Sequence, residues 1–468
     1  MLNPGQFERR VAVTGTVTLL GVLVFFGALA YWQVFRTDLA EDDRNPRVLS
    51  HALDPHRGRI LDRDGNELAV SLPNGKRRYT DPSVAHVLGY IDPRYGSQGA
   101  ELAFDALLSG HQVHSWSAAF DAEFNRSAGQ GLDVRLTIDP KVQAAAASAL
   151  GSRTGAVVAV DPRNGEVLAM VSVPTYDPGG LAANGEALLV DPTSPLLNRA
   201  TQGRYPPGST FKTVTAAAAL ENNVIQPGTP VTCPESITID GFEISCRNVS
   251  QGVGTYPFRD AFTFSVNAIF AQVGVAVGWD RLAATAERFG FGSALGFTLE
   301  TAASQLHDPG SPRTKVLLAS TAFGQGELLV TPLQMALVAA AIANGGMLVR
   351  PHLGLEALNG TRVVQQPLEA PASRRVLGAD VAHTLRDFMV SVVDGAQASG
   401  VAIPGVKVAG KTGTAETGTP GVSHAWFIAF APADDPVIAV AVVVERGGRG
   451  GEVASPIAGA VIRAALGK

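Results

Sequence analysis

The chain has 468 residues, 46% of them hydrophobic and 17% charged, with 37 basic against 42 acidic side chains and a formal net charge of -5. Fewer charges than the roughly 25% of an ordinary soluble domain, with 51 Gly and 29 Pro, exclude a coiled coil, a nucleic-acid-coating protein and a disordered acidic tail. At roughly 150 residues per domain, the length allows two to four domains and a sizeable core. Arginine supplies 30 of the 37 basic residues and lysine only seven.

The first long feature is Val11 to Trp32, 22 residues without a charge. As a helix it is about 33 Å long, enough for a hydrocarbon core of about 30 Å. Glu8, Arg9 and Arg10 precede it, and Tyr31 and Trp32 at its far end suit an interfacial aromatic belt. The expectation is a cytoplasmic tail (1–10), one membrane anchor (11–32) and an extracytoplasmic remainder. Ala28-Leu29-Ala30 has the spacing of a signal-peptidase site, but the run exceeds the usual ~7–15 residue core of a cleaved leader.

From Asp54 to about Leu132 the chain is short-segmented and punctuated by Gly, Pro, Asp and Arg, which predicts a small strand-and-loop module. Asp139-Pro140 then reads as an N-cap with proline at the first helical position, opening a helix to about Leu150. Gly155–Asp161 and Glu166–Val173 read as a hairpin around Asn164-Gly165. Thr331 caps a helix over Leu333 to Ala343, Ala425–Ala431 and Val437–Val444 form a second apolar hairpin, and Pro456 to Leu466 closes the chain as a helix. Strands at both ends of a largely helical region predict an α+β fold, an antiparallel sheet with helices on its faces. Cys233 and Cys246, 13 positions apart, are either a local disulfide or two free thiols. The nine His form no His-Glu-x-x-His or Cys/His cluster, so no metal site is expected.

Three short patterns carry the chemistry: Ser209-Thr210-Phe211-Lys212, Ser265-Val266-Asn267 and Lys411-Thr412-Gly413. All three in this order arise by chance in only a few of about a thousand such chains. Pro206-Pro207-Gly208 ahead of an apolar stretch puts Ser209 at the start of a helix running to Leu220. A serine hydroxyl needs a base near neutral pH, and Lys212 lies one helical turn away on the same face. Burial and a neighbouring cation, for which Lys411 is the candidate, must depress its pKa before it can accept a proton. Ser265 and Asn267 supply a second hydroxyl and an amide. Val406 to Gly410 alternates like an edge strand, and Lys411 to Thr414 beside it suits an extended peptide bound by β-addition, with Gly413 allowing close backbone approach.

This motif set is that of penicillin-binding proteins and serine β-lactamases, and the chain resembles a class B penicillin-binding protein. The likeness extends to Arg57-Gly58-Arg59-Ile60-Leu61-Asp62-Arg63-Asp64-Gly65, to Asn198-Arg199-Ala200 leading into Tyr205-Pro206-Pro207-Gly208, and to Gly324-Gln325-Gly326 with Thr331-Pro332-Leu333-Gln334. It covers essentially the whole chain, and the short N-terminal module is most similar to the actinobacterial PBPA type. The resemblance implies a pedestal module (33–138) ahead of a transpeptidase domain (139–468) that cross-links peptidoglycan stem peptides through a serine acyl-enzyme with release of D-alanine. It further implies Ser209 as nucleophile, Lys212 as base, Ser265 as proton relay and Asn267 as donor-positioning amide. Lys411 and Thr412 would bind the terminal carboxylate, and the Ser209 and Thr414 N–H groups would form the oxyanion hole. No cofactor is implied. The implied partners are β-lactams as inhibitors, a SEDS-family glycosyltransferase and other membrane proteins of division or elongation, with no nucleic acid. Val266 stands where many β-lactamases with this set carry Asp, and no deacylating Glu is evident, which speaks against the β-lactamase alternative.

Overall fold

The computed structural model describes residues 4–31, 56–110, 131–246, 253–395 and 398–468. Residues 1–3, Trp32 to Pro55 and 111–130, which belong to the expected tail, anchor and pedestal, lie outside the described residues. The chain opens with the helix Pro4–Ala30. Among the described residues no helix is long and apolar enough to cross a membrane. In this first helix, however, the described side chains are Arg9 and 12–28, a shorter stretch than the uncharged run of the sequence.

The N-terminal module is organised by the arginine signature read above. Arg57 is buried and donates through Nε to Glu101 Oε2 at 2.9 Å, while Arg77 holds the other oxygen of the same carboxylate at 2.7 Å. Flanked by two guanidinium groups, the fully buried Glu101 is held below the usual carboxylate range, the opposing desolvation notwithstanding. A Cβ on Gly58 would meet Leu132 O at 1.9 Å, so only glycine lets these two segments cross. Arg59 then clamps Asp133, Nη2 to Oδ2 at 2.7 Å.

These contacts align Ile60–Leu61 beside Asp133–Leu136 in a six-stranded sheet that also contains Glu67–Ser71 and Arg77–Tyr79. Its other two strands, Gly354–Asn359 and Arg362–Gln365, come from more than 200 positions downstream, so the sheet crosses the division at 138/139 expected from the sequence. The module also meets the following region through a polar seam. Arg63 pairs with Glu166 at 2.7 Å, the Gln143 amide donates to Ser83 O and Met170 O, and His86 Nε2 donates to Pro195 O at 2.8 Å.

The second sheet has five strands, all antiparallel: Ala409–Glu416, Ser423–Ala431, Ile438–Val444, Gly155–Val160 and Val167–Val173, in that spatial order. Alternate residues of its apolar strands enter different cores. Ala439, Ala441 and Val443 pack on one face, Ile438, Val440, Val442 and Val444 on the other. Burial on both faces is why these strands read as continuous apolar runs. Helices Pro140–Leu150 and Gly450–Ala465 cover one face, and Lys212–Glu221, Asn267–Val277 and Pro332–Ala343 build on the other.

The N-caps act as read: Asp139 accepts from the N–H groups of Lys141 and Val142, and Thr331 from that of Gln334. Two boundaries move. The last helix begins at Gly450 and carries Pro456 in its interior, where a Cβ on Gly400 would strike the proline ring at 2.7 Å. The edge strand begins at Ala409, because Val406 closes a tight turn with its N–H bonded to Ile403 O. Cys233 and Cys246 form a disulfide with Cα atoms 5.9 Å apart, which resolves the alternative left by the sequence.

Candidate active site

Ser209 sits on a 3-10 turn, Gly208–Phe211, and the α-helix proper starts at Lys212, so the expected single helix is a tight turn feeding a helix. Pro206-Pro207 enforces that entry. Gly208 has φ +55°, and its N–H donates to Gly324 O at 2.9 Å. A Cβ on Gly208 would meet Thr414 O at 2.8 Å, and one on Gly413 would meet Pro207 O at 2.8 Å. The turn and the edge strand therefore touch backbone to backbone, which fixes the Ser209 position relative to Lys411 to Thr414.

From the turn the chain drops into the core. Lys212 is fully buried, and its Nζ bonds to Ser265 O at 2.7 Å, Ser265 Oγ at 3.1 Å and Asn267 Oδ1 at 2.6 Å. Ser265 reaches this position through backbone strain. Helix Phe258–Thr263 ends in a Schellman pattern, with Ser265 N–H bonded to Phe262 O and Val266 N–H to Ala261 O. Ser265 occupies the left-handed position normally held by glycine, at φ +61°. That conformation aims both its carbonyl and its hydroxyl at the lysine, and Asn267 opens the next helix, Asn267–Val277, immediately after.

Lys411 is also fully buried, on the edge strand directly opposite Ile428, and its ammonium makes one long bond of 3.5 Å to Thr412 O. Phe270 lies against Lys212 with its ring centroid 5.3 Å from Nζ, and Phe262 against Lys411 at 5.5 Å. Burial pushes the Lys411 amine down to about 7. Burial, with the Lys411 charge added to it, pushes Lys212 well below the usual amine range. Both amines are shifted toward the neutral form that a base requires. When Lys212 is deprotonated, its two N–H donors go to the carbonyl of Ser265 and Oδ1 of Asn267, which leaves the lone pair to receive a proton.

The structure thus gathers the three motifs at one place. Lys212, Ser265 and Asn267 are directly bonded, and Gly413 and Thr414 abut the turn of Ser209. None of the Lys212 bonds reaches Ser209. Thr412 is partly exposed and Thr414 exposed, on the free edge of the sheet. Sequence reasoning missed the aromatic walls. Phe262 lies three residues before Ser265 and Phe270 three after Asn267, a spacing that a helical reading of both flanks could have found.

A family model described as the penicillin binding protein transpeptidase domain matches residues 155–463, and one described as the penicillin binding protein A dimerisation domain matches 57–134. The chain belongs to the penicillin-binding transpeptidases. Among curated members of this family, the peptidoglycan D,D-transpeptidase PbpA of Mycolicibacterium smegmatis is 39% identical over 98% of both chains. Its namesake from Mycobacterium tuberculosis is 38% identical over the same shares. Among solved structures, the ceftriaxone acyl-enzyme complex of M. tuberculosis penicillin-binding protein A superposes with a TM-score of 0.80 at 36% identity, covering 89% of this chain and 100% of that one. The penicillin G acyl-enzyme complex gives 0.79 at 35% identity, covering 88% and 100%. The first motif of this penicillin-binding transpeptidase, Ser209 to Lys212, falls within the transpeptidase match together with the other two.

Proposed function

We propose that this chain is a serine D,D-transpeptidase that cross-links peptidoglycan stem peptides and is acylated by β-lactams at Ser209. The observation that carries the reading is the fully buried Lys212, bonded to Ser265 O and Asn267 Oδ1 and pushed well below the usual amine range by burial and the Lys411 charge. In the reaction, Lys212 Nζ takes the Ser209 proton as Oγ bonds to the carbonyl carbon of the penultimate D-alanine. Backbone N–H groups of Ser209 and Thr414 hold the oxyanion. The Ser265 hydroxyl, 3.1 Å from Nζ, passes that proton to the departing D-alanine amine as the C–N bond breaks. The Asn267 amide positions the donor peptide. Lys411 and Thr412 bind its terminal carboxylate, and Gly413 keeps their strand against the nucleophile turn. An amine of a second stem peptide then attacks the ester, and Ser209 recovers its proton.

The test uses the full-length chain in detergent, a D-Ala-D-Ala stem peptide and an acceptor amine. Cross-linked product and free D-alanine are expected, and hydrolysis alone, unchanged by added amine, would make it a D,D-carboxypeptidase instead.

We further propose that the first helix is a membrane anchor with the transpeptidase domain outside the cytoplasm, where peptidoglycan and a disulfide-permissive environment are found. Support comes from the uncharged sequence run Val11 to Trp32 and from the exposed Val17, Leu20, Leu23 and Phe25 of the first helix. Opposite-facing topology reporters at the two termini test it, and the same compartment for both would sink it. The pedestal with this anchor is the proposed docking surface for a SEDS-family glycosyltransferase in division or elongation. Co-purification with the anchor intact is expected, and equal recovery without residues 1–32 would argue against it.

A further inference from the structure

The motif Asn198-Arg199-Ala200 and Tyr205 lie outside the reaction described above, yet their side chains meet at one carboxylate. Glu445 follows the strand Ile438–Val444, and its Oε1 accepts from Arg199 Nε at 2.8 Å and from the Tyr205 hydroxyl at 2.8 Å. The Arg199 side chain is 5% exposed, and its other nitrogens donate to Ser194 O and Thr193 O. Each nitrogen of the guanidinium thus has a partner. Tyr205 is mostly buried, hydrogen-bonded through its backbone to Val330 in both directions, and its ring meets that of Trp426 in a T-shaped contact with the centroids 6.2 Å apart.

Trp426 is the cross-strand partner of Gly413, and a Cβ on Gly413 would strike Trp426 Cβ and Pro207 O, both at 2.8 Å. Tyr205 stands four residues before Ser209. A single carboxylate therefore ties the chain entering the nucleophile turn to the sheet that carries the substrate-binding strand. It does so through a tyrosine wedged on the residue opposite Gly413.

We propose that Glu445, with Arg199 and Tyr205, is a positioning brace that sets the depth of the Ser209 turn against the strand Ala409–Glu416. The brace touches no reacting atom. Its effect is on how well Ser209 Oγ is aligned for attack, so it changes the acylation step and not the initial binding of the donor. This deepens the proposed function and rests on Ser209 being the acylated residue.

Tyr205→Phe tests it, because the ring on Trp426 is kept and only the hydroxyl bond to Glu445 is lost. Tyr79→Phe serves as a control, since the Tyr79 hydroxyl accepts Ile91 N–H at 3.2 Å in the N-terminal module, remote from the brace. The full-length chain and both variants are compared for the acylation rate constant and pre-acylation dissociation constant of a fluorescent penicillin, per folded molecule, alongside thermal midpoints. For Tyr205→Phe the expectation is a rate lowered roughly tenfold at unchanged dissociation constant, with Tyr79→Phe acylating as the parent does. A Tyr205→Phe rate equal to that of the parent, or lowered no further than in Tyr79→Phe, overturns the brace. Absence of any acylation in the parent would instead refute the functional reading on which it rests.

Discussion

Lys212 Nζ stands 2.6 Å from Asn267 Oδ1, with Ser265 O on its other side at 2.7 Å, and these two acceptors orient the lysine lone pair. Burial, with Phe270 against it and the Lys411 charge nearby, favours the uncharged form of this amine.

The two lysines must be in opposite states to work, which sets the pH dependence. Lys212 acts when neutral, so acylation falls as pH drops through its lowered pKa. Lys411 binds a carboxylate when charged, so the second-order acylation rate of the free enzyme falls as pH rises through about 7. Arginine stays protonated throughout. In Lys411→Arg the alkaline limb is expected to vanish while the acid limb stays, measured as penicillin acylation against pH; an unchanged alkaline limb would assign it to another group.

Lys411 also costs stability. Its folded pKa is about 7 against about 10.4 when unfolded, so between those values the unfolded chain holds a proton that the folded one lacks. Stability from this group therefore rises with pH across that window. Lys411→Met is expected to be inactive yet more stable than the parent by up to ~4 kcal/mol near pH 7, with the advantage shrinking toward pH 10. Chemical unfolding at the two pH values measures this, and a variant less stable at pH 7 would contradict it.

Ser265 carries the strain of φ +61° so that its oxygens face Lys212. Glycine adopts that conformation freely and alanine does not. Ser265→Gly is expected to be more stable than Ser265→Ala by about 1 kcal/mol, while both lose the hydroxyl and slow acylation alike. Unfolding midpoints of the pair decide the matter, and equal values would mean that the loop relaxes without strain.

Gly413 faces Pro207 O, Trp426 Cβ and Thr210 Cγ2 within 3.0 Å of where a Cβ would lie. Thr210 belongs to the turn of Ser209 and Pro207 leads into it, so Gly413→Ala must push the nucleophile away from the substrate strand. Acylation is expected to fall by about 100-fold with a smaller relative change in folding, read by parallel kinetics and circular dichroism. Parent-like acylation would show that the contact gives way freely.

Much of this was legible locally. The caps at Asp139 and Thr331, the two apolar hairpins and all three motifs are short-range signals, and each depends on neighbours a few positions away. What was not legible is non-local or overrides a local rule. Strands Gly354–Asn359 and Arg362–Gln365 join the N-terminal sheet, a pairing that no periodicity encodes. Pro456 reads as a helix start, but the room that Gly400 leaves lets it sit inside one. The spacing from Ser209 pointed to Lys212 as the base, yet the packing of Phe270 and Phe262, which helps desolvate Lys212 and Lys411, emerges only in the fold.

The central claim is that Ser209 is the acylated nucleophile. Intact-mass and peptide mapping of the full-length chain after incubation with benzylpenicillin tests it most directly. One penicilloyl group is expected, on the peptide containing Ser209, and none in Ser209→Ala. A parent without adduct, or an adduct that persists in Ser209→Ala, would contradict the account.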